Sequence, residues 1–452
     1  MATGVAQPIT IEQLASMTPS DQQAYVAGLP ADQQAVVQAQ LAQVNKRSLM
    51  QAGADYMART IDKEAICVMT NGGALSQSWP AGGGLLSFTV PQTLNGWLRG
   101  YKIRLSLTVT NAAGTSAVYA LTAGGVLGLI QQVTLWYGNN QQQFPLRVLL
   151  DYYQLQGQWQ QNPWQNVPAI GRNTASIDTY LSGGNSFPVA TGANSWTVEV
   201  FVPCNWVHLL DVRGMLPISG GQTQPTITLL CNSAPFGADP MKNVLYAVSG
   251  TGHATTITGT VSVYAVYRDG DSLGTRQKLA LSVGNLGTMQ AFYDGTLNQL
   301  TANQTQPYQL IHIGRHYTVL AYVIDAQASQ TFCATTNISQ IDVVKDAAGS
   351  NILWRAGGDT NLDIREWFAT RIRAPLGQDL QEGVIPFVFA QGSNTVNIDN
   401  TDGIDVFDNT PGNGWPAAQF RVKVGAVGAL GSGPRVEYYT IFENPQGLVV
   451  IG

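Results

Sequence analysis

Two stretches in different halves of this sequence share one pattern: Ile130-Gln-Gln-Val-Thr-Leu135 and Ile338-Ser-Gln-Ile-Asp-Val343. Each alternates apolar and polar residues, as a β-strand does when one side faces a core. An Asn- and Gly-containing turn follows each of them, at Gly138-Asn-Asn140 and at Gly349-Ser-Asn351. A segment with a helical pattern and an acidic–aromatic cluster comes next in each half: Pro145–Trp159 and Leu362–Arg373. The repeated order predicts two copies of one domain.

Outside these stretches, the pattern from Ile66 onward is also that of strands. Ile103, Leu105, Leu107 and Val109 alternate with polar residues within Tyr101–Thr110. Three further segments behave in the same way: Trp196–Val202, Thr226–Leu230 and Thr258–Tyr267. Many short strands separated by Gly- and Asn-rich loops indicate a β-sandwich or jelly roll in each half.

The chain length and a polar link divide the sequence. At 452 residues the chain exceeds what one core usually serves. Asp269–Gly274 is polar and contains Gly, as interdomain links often are. We therefore expect an N-terminal helical arm at 1–60, a first domain at 61–270 and a second at 271–452.

The arm at 1–60 has its own helix signals. Thr18-Pro-Ser-Asp21 predicts a helix start, with an N-cap, a Pro in the first position and an acid in the first turn. A second start follows at Pro30, and Val37, Leu41 and Val44 then mark one helical face. Together with Lys46 and Arg47, which follow this face, these residues are candidate contacts with neighbouring subunits or a membrane surface. The alternative is a helix that packs on its own domain.

Two long connections are rich in Asn, Gly, Ser and Thr: Asn162–Asn194 and Gly392–Pro416. Loops of this length are usually functional or disordered. Both come after the helical segment of their half, so we expect them to emerge at the same end of the two domains.

The composition is poor in charge. Charged residues make up 11% of the chain, against roughly 25% in ordinary soluble domains. Such a surface suits burial against copies of itself, although a secreted β-protein can have a similar composition. The net charge of −5 and the absence of a basic block argue against direct nucleic-acid binding.

The cysteines and the N-terminus bear on the compartment. The four cysteines have no metal-type spacing and lie in or beside apolar stretches, so we expect buried free thiols, with a disulfide as the alternative. No basic segment followed by an apolar core opens the chain, so we expect a protein of a reducing cytoplasm that is not secreted.

The search for an active site finds no motif for a nucleophile, a phosphate loop or a zinc protease. His312 and His316 have the spacing of a helical metal pair, but they lie in a strand–turn–strand pattern where that spacing forms no chelate. We therefore predict no catalytic residue, no metal and no cofactor.

At this point the sequence resembles a family, along most of its length. The segments that carry the likeness are Ala120–Tyr137, Val261–Tyr267, Lys278–Leu281, Arg315–Asp325, Phe420–Val424 and Tyr438–Glu443. In this order they resemble the major capsid proteins of tectivirus-like bacteriophages, which are tailless and icosahedral and enclose an internal membrane.

The resemblance implies a mainly β fold of two tandem eight-stranded jelly rolls, with an N-terminal helical arm and one short helix inserted in each roll. It implies a homotrimer that forms a pseudo-hexagonal capsomer of a virion shell. Neighbouring capsomers, penton or minor capsid proteins, and peripheral contact of the arm with an internal membrane are the expected partners. It also implies outer towers built from long loops such as the two named above.

Two other functions remain open on the sequence alone. Trp159 and Trp164 flank a Gln- and Asn-rich segment, which is compatible with a receptor- or carbohydrate-binding β-sandwich spike. A hydrolase on a jelly-roll scaffold is the third alternative, although no pair of carboxylates in a recognisable cleft favours it.

Overall fold

The computed structural model describes most predicted strands and part of the arm. The described residues are 13–14, 19–30, 33–38, 40–41, 60–69, 77–80, 83–111, 118–121, 129–137, 140–146, 148–149, 192–204, 215–218, 224–232, 241, 245–249, 255–269, 288–298, 300–325, 331–333, 337–357, 383–388, 407–411, 414–425 and 434–444.

The arm contains the helix predicted at Pro19. Helix α1 spans Pro19–Ala27, with Asp21 in its first turn, where a negative charge stabilises the exposed N–H groups. It ends at Gly28, whose N–H donates to the carbonyls of Ala24 and Tyr25 at 3.2 and 3.1 Å. Residues 33–38 are again helical, after a start in which Gln33 and Gln34 donate to the Pro30 carbonyl. Both helix starts are confirmed.

The described residues of the first half form thirteen strands. They are β1 (Lys63–Ile66), β2 (Val68–Met69), β3 (Gln77–Ser78), β4 (Gly84–Thr89), β5 (Gly96–Asn111), β6 (Val118–Leu121), β7 (Ile130–Tyr137), β8 (Asn140–Phe144), β9 (Gly192–Pro203), β10 (Leu216–Ile218), β11 (Thr226–Cys231), β12 (Leu245–Ser249) and β13 (Thr255–Asp269).

Ten strands lie in the described part of the second half. They are β14 (Thr288–Asn298), β15 (Thr305–Tyr308), β16 (Arg315–Asp325), β17 (Thr331–Phe332), β18 (Ile338–Val344), β19 (Ile352–Gly357), β20 (Val384–Val388), β21 (Phe407–Asp408), β22 (Gln419–Val424) and β23 (Arg435–Asn444).

The strand pairing identifies the fold. A jelly roll has eight antiparallel strands, B to I in chain order, in two sheets that run B-I-D-G and C-H-E-F. In the first half, β1-β13-β5-β9 form one antiparallel sheet and β4-β11-β7-β8 the other. In the second half, β14-β23-β16-β20 and β15-β22-β18-β19 repeat the same order. The fold is a double jelly roll, as expected.

We call the two domains the first roll and the second roll, and their sheets the BIDG and CHEF sheets. The remaining short strands add to these sheets, apart from β6 and β12, which pair with each other. Strands β6 and β12 belong to the D–E and H–I connections of the first roll, so they form a separate ribbon beside it.

The repeat on which the prediction rested is structural. Strand β7, which contains Ile130–Leu135, and strand β18, which contains Ile338–Val343, are both strand E of their rolls. The buried residues of each, such as Val133 and Ile341, lie in the core of their own roll. The sequence repeat therefore marks equivalent positions in two copies of one fold.

The element after each turn was predicted incompletely. A strand F, β8 or β19, lies between the turn and the predicted helix. Strand β8 reads Asn-Gln-Gln-Gln-Phe and has one apolar residue, so alternation could not reveal it. Leu146, Val148 and Leu149 are helical and buried, in agreement with the start of the first helix. The rest of that helix and the helix predicted at Leu362–Arg373 lie outside the described residues.

The expectation that the two long loops share one end was wrong. Asn162–Asn194 precedes strand G of the first roll, β9, whose first residues it includes. Gly392–Pro416 instead follows strand G of the second roll, β20, and it contains the short strand β21. One connection therefore enters strand G and the other leaves it, and the two ends of a strand are opposite ends of its sandwich.

The apolar cluster of the first roll extends onto the outer face of the second roll. Alternate residues of β16 point in opposite directions: Val319, Ala321 and Val323 into the second roll, Leu320, Tyr322 and Ile324 into the cluster of the first. Leu320, Tyr322 and Ile324 lie on the outer face of the BIDG sheet of the second roll. Val384, Tyr439 and Ile441, on neighbouring strands of that sheet, belong to the same cluster. Strand β8 of the first roll contacts β14 of the second. The outer BIDG face of the second roll is therefore buried against the first roll.

Candidate assembly surfaces

The candidate contact residues of the arm are only partly described. Leu41 is 9% exposed and packs with Leu14 and Val26 in a small cluster, against which Val37 and Tyr25 also pack. The predicted face therefore packs, in this part, against the rest of the arm. Val44, Lys46 and Arg47 lie outside the described residues.

The arm joins the first roll through buried charges. Asp62 binds Arg99 of strand D and Arg268 of strand I, the second at 2.7 Å. Arg268 also donates to the carbonyl and the hydroxyl of Thr60, at 2.7 and 2.9 Å. Both arginines are buried, so their loss of hydration is offset by charge-assisted hydrogen bonds. The chain is thereby held against the BIDG sheet where it leaves the arm.

The outer BIDG face of the first roll carries a network of charges. Lys102 binds Glu64, and Arg104 binds Glu199, across strands B, I, D and G. The Lys102 Nζ and the Arg104 guanidinium of strand D lie 5.0 and 5.6 Å from the ring centroid of Tyr264 on the neighbouring strand I. The hydrogen bond to Glu199 raises the pKa of Arg104. The sequence alone could have placed both cations on this outer face, since Lys102 and Arg104 occupy the polar positions of the alternating strand β5.

The outer CHEF face of the first roll is different, because the outward side chains of its strands are uncharged. Ser87 and Thr228 share a hydrogen bond of 2.8 Å across two strands. Leu85 and Trp136 are 69% and 42% exposed on the same face. An uncharged sheet face with exposed apolar side chains is a candidate contact surface.

The outer CHEF face of the second roll is built around Asp342, whose side chain is fully buried. Arg355 donates to it from strand F at 2.8 and 3.2 Å, and Arg421 donates from strand H at 2.7 Å. Gln340 donates at 2.8 Å. Burial alone would raise the pKa of Asp342, but these hydrogen bonds hold it below its usual value. These hydrogen bonds join strands E, F and H of the second roll.

A loop between strands C and D of the second roll exposes two isoleucines. Ile311 and Ile313 are 68% and 58% exposed. Buried Asp294 accepts hydrogen bonds from the Ile311 and His312 N–H groups at 2.8 and 3.0 Å. Asn409 donates to the His312 carbonyl at 2.8 Å and accepts from Gly314 N–H at 2.8 Å. The loop is therefore held in a defined shape.

The two histidines that were weighed as a metal pair have separate partners. The Nδ1 atom of His312 lies 2.9 Å from Asp294, and the Nδ1 atom of His316 lies 2.6 Å from the Thr440 hydroxyl. Desolvation lowers the pKa of the buried His316 to about 4, so this ring is neutral at pH 7. Within the described part of the chain, no group of three His, Cys, Asp or Glu side chains could hold a metal ion.

The four cysteines are buried and free, as predicted. Burial raises the pKa of Cys67 and Cys231 to about 12, and the thiolate is the reactive form. These thiols act as small apolar side chains of the core.

No described helix is long and apolar enough to cross a membrane.

Comparison with known proteins finds similarity in structure and not in sequence. No family model matches the chain, and no curated protein sequence matches it. Among solved structures, the MCP of STIV is 14% identical, with a TM-score of 0.49 over 84% of this chain and 96% of that one. The mavirus major capsid protein is 12% identical, with a TM-score of 0.47 over 84% and 87%.

A third similar structure is the major capsid protein P2 from bacteriophage PM2. It is 9% identical, with a TM-score of 0.37 over 85% of this chain and 99% of that one. In all three cases the likeness extends over most of both chains.

Proposed function

We propose that this chain is the major capsid protein of an icosahedral virus, a structural protein and not an enzyme. Three copies form a capsomer with a pseudo-hexagonal outline, and capsomers tile the shell. The observation that carries the proposal is the exact repetition of the jelly-roll strand order in both halves. Two like domains in each chain turn a threefold assembly into a ring of six similar units, which a curved hexagonal lattice requires.

The apolar contact between the two rolls supports this proposal. Leu320, Tyr322 and Tyr439 of the second roll are buried in the cluster of the first roll, so apolar packing as well as the linker holds the two domains together. A shell component needs this property, because a fixed angle between its domains sets the outline that its neighbours meet. The domain limits that we propose are 1–60 for the arm, 61–270 for the first roll and 271–452 for the second.

The partners follow from the same proposal. Neighbouring capsomers, penton or minor capsid proteins, and an internal viral membrane would meet the rim and the arm of the trimer. In the arm we propose Val37, Leu41, Val44, Lys46 and Arg47 as contact residues. Leu41 is buried in the cluster of the arm itself, so we propose that it stabilises the helices that form the contact surface and does not touch the partner directly. The resemblance to tectivirus-like proteins supports the membrane as a partner of the arm.

The first experiment measures the mass of the purified chain by light scattering at micromolar concentration. A trimer is expected, and a monomer would contradict the proposal. Electron microscopy of particles from infected cells, with antibody labelling, then tests whether this chain forms the shell. Label confined to a spike would instead favour a receptor-binding protein.

The second experiment deletes residues 1–50. The described strands and the apolar cores of the two rolls lie outside this segment, so the truncated chain should still form the trimer. Particle assembly should be impaired, because the proposed contacts of the arm are lost. Loss of the trimer itself would place the arm in the trimer interface.

A further inference from the structure

The outer CHEF face of the second roll has an excess of positive charge. The four strands of this sheet contain three cations, Arg355, Arg421 and Lys423, and one carboxylate, Asp342. The four equivalent strands of the first roll contain no charged residue. Since the first roll builds the same sheet without any charge, the fold itself does not require the cations of the second roll.

Strand pairing brings the three cations together. Arg421, Asp342 and Arg355 are direct cross-strand neighbours on strands H, E and F. Lys423 follows Arg421 by two positions on strand H, so both side chains leave the sheet on the same side. The cross-strand neighbour of Lys423 is Gln340, whose amide donates to Asp342 at 2.8 Å. The cations therefore lie in two adjacent rows around one carboxylate.

Asp342 holds the two guanidinium groups side by side. The Nη2 atom of Arg355 and the Nη2 atom of Arg421 both donate to its Oδ2 atom, at 3.2 and 2.7 Å. The Nε atom of Arg355 donates to Oδ1 at 2.8 Å, which fixes the plane of this group as well. Because both guanidinium groups are already oriented in the single chain, a ligand that binds them loses little free energy to side-chain ordering.

The one carboxylate leaves these cations incompletely satisfied. Asp342 can neutralise only one of the three positive charges. The Nε atom of Arg421 is buried and has no hydrogen-bond acceptor among the described residues, and a buried donor without an acceptor is costly. The side chain of Arg355 is 41% exposed, so a ligand can approach its guanidinium group from solvent. The face therefore offers both positive charge and hydrogen-bond donors to an added acceptor.

We propose that Arg355, Arg421 and Lys423 form a binding site for a small phosphate-bearing anion, such as pyrophosphate. A guanidinium group matches two oxygens of a phosphate, and a lysine binds phosphate as a point charge. The excess of two positive charges suits an anion of this kind, whereas a single carboxylate would leave the face charged. A nucleic acid would need a longer basic stripe, and the four strands of this sheet contain no further cation.

The test is isothermal titration calorimetry of the purified full chain with pyrophosphate, at constant ionic strength so that general screening stays the same. Lys423→Gln removes one cation of the site and leaves the hydrogen bonds of Asp342 in place. The affinity for pyrophosphate should fall about tenfold or more, because a charged contact is lost. Lys102→Gln is the matched control, since Lys102 is paired with Glu64 on the first roll, and it should bind pyrophosphate as the parent does.

Two further variants separate the charge at this position from its shape. Lys423→Arg keeps the charge and should retain the affinity of the parent, whereas Lys423→Glu should abolish binding. Lys423 is only partly buried, so the urea midpoints of all three Lys423 variants should stay near that of the parent without ligand. Loss of affinity in Lys423→Gln together with a parent-like urea midpoint would support the site, because a folding defect would lower both.

Three results would overturn the proposal. The first is no binding of pyrophosphate by the parent chain, and the second is equal affinity in Lys423→Gln and Lys102→Gln. The third is tighter binding of a single-stranded oligonucleotide than of pyrophosphate at the same salt concentration, which would assign the face to nucleic acid. The site lies within one chain, so a monomer that binds pyrophosphate would contradict the proposed capsomer and leave this inference standing.

Discussion

The carboxylate of Asp294 is expected to contribute strongly to the stability of the second roll, and Asp294→Asn tests this contribution. Its Oδ1 atom accepts from the Tyr308 hydroxyl and the Ile311 N–H at 2.7 and 2.8 Å. Its Oδ2 atom accepts from the N–H and the Nδ1 of His312 at 3.0 and 2.9 Å. An asparagine keeps one oxygen and presents an NH2 group to the other two donors.

The expected loss follows from the two hydrogen bonds that asparagine cannot make. Each hydrogen bond to a buried charge contributes roughly 1.5–3 kcal/mol. The His312 side chain is 29% exposed, so water replaces part of the loss and the lower end applies. The free energy of unfolding should therefore fall by about 3 kcal/mol at pH 7. Urea denaturation at a fixed protein concentration measures this change.

The pH dependence is a further part of this prediction. Burial would raise the pKa of Asp294, but hydrogen bonds led by His312 hold it below its usual value. A carboxylate with a lowered pKa stabilises the fold above the pKa of the unfolded chain, near 3.8, and this stabilisation is lost as the pH falls further. The difference between the parent and Asp294→Asn should therefore shrink as the pH falls below about 4.

Asp346→Asn is the matched control. This carboxylate also accepts hydrogen bonds from a turn, at Ser350 and Asn351, but it is exposed to solvent. Water can replace the lost bonds, so its urea midpoint should move less than that of Asp294→Asn. Equal midpoints for the two variants, or a difference that persists unchanged at pH 3, would refute the reasoning.

Three further predictions concern the core. Tyr322 has a fully buried ring that packs edge-on against Tyr439 between the rolls. In Tyr322→Ala the free energy of unfolding should fall by about 3–5 kcal/mol. Calorimetry should then show separate unfolding transitions for the two rolls. Gly259→Ala places a methyl group 2.1 Å from the Ser106 carbonyl oxygen at a residue with a φ of +134°, so the thermal midpoint should drop sharply. Gly28→Ala is the control, because its methyl group would lie 3.4 Å or more from its neighbours and should change the thermal midpoint little. Cys67 should react with a thiol reagent only on unfolding, and rapid labelling of the native chain at this position would contradict its burial.

Local pattern was sufficient for much of the fold. Alternation at Ile103, Leu105 and Leu107 predicted strand β5, because a residue buried on one side of a sheet leaves a trace at every second position. The helix at Pro19 followed from capping chemistry, which depends on neighbours in the sequence. The matching strands at Ile130 and Ile338 revealed the doubling, because equivalent strands of two like domains face the same environment.

Other features depended on pairing between distant segments. Strand F of the first roll, Asn140–Phe144, has no alternation of its own and is a strand because β7 lies beside it. Gly392–Pro416 follows strand G of the second roll, β20, and this position decides at which end of the sandwich the loop emerges. The sequence alone predicted the wrong end. Asp342 binds both Arg355 and Arg421, and Arg421 lies 79 positions from Asp342 in the sequence, so no local pattern predicts this group.

The sequence by itself thus determined the class of this protein: strands, two like halves, a helical arm and buried thiols. The repeat at Ile130 and Ile338 is the residue pattern that carries this conclusion. The tertiary structure decided which sheet faces are covered. The outward residues of strand D in the second roll are apolar because the first roll covers them, while Lys102 and Arg104 mark the equivalent face that remains exposed in the single chain. Burial of a strand's second face depends on what packs there, and that is a property of the assembled chain.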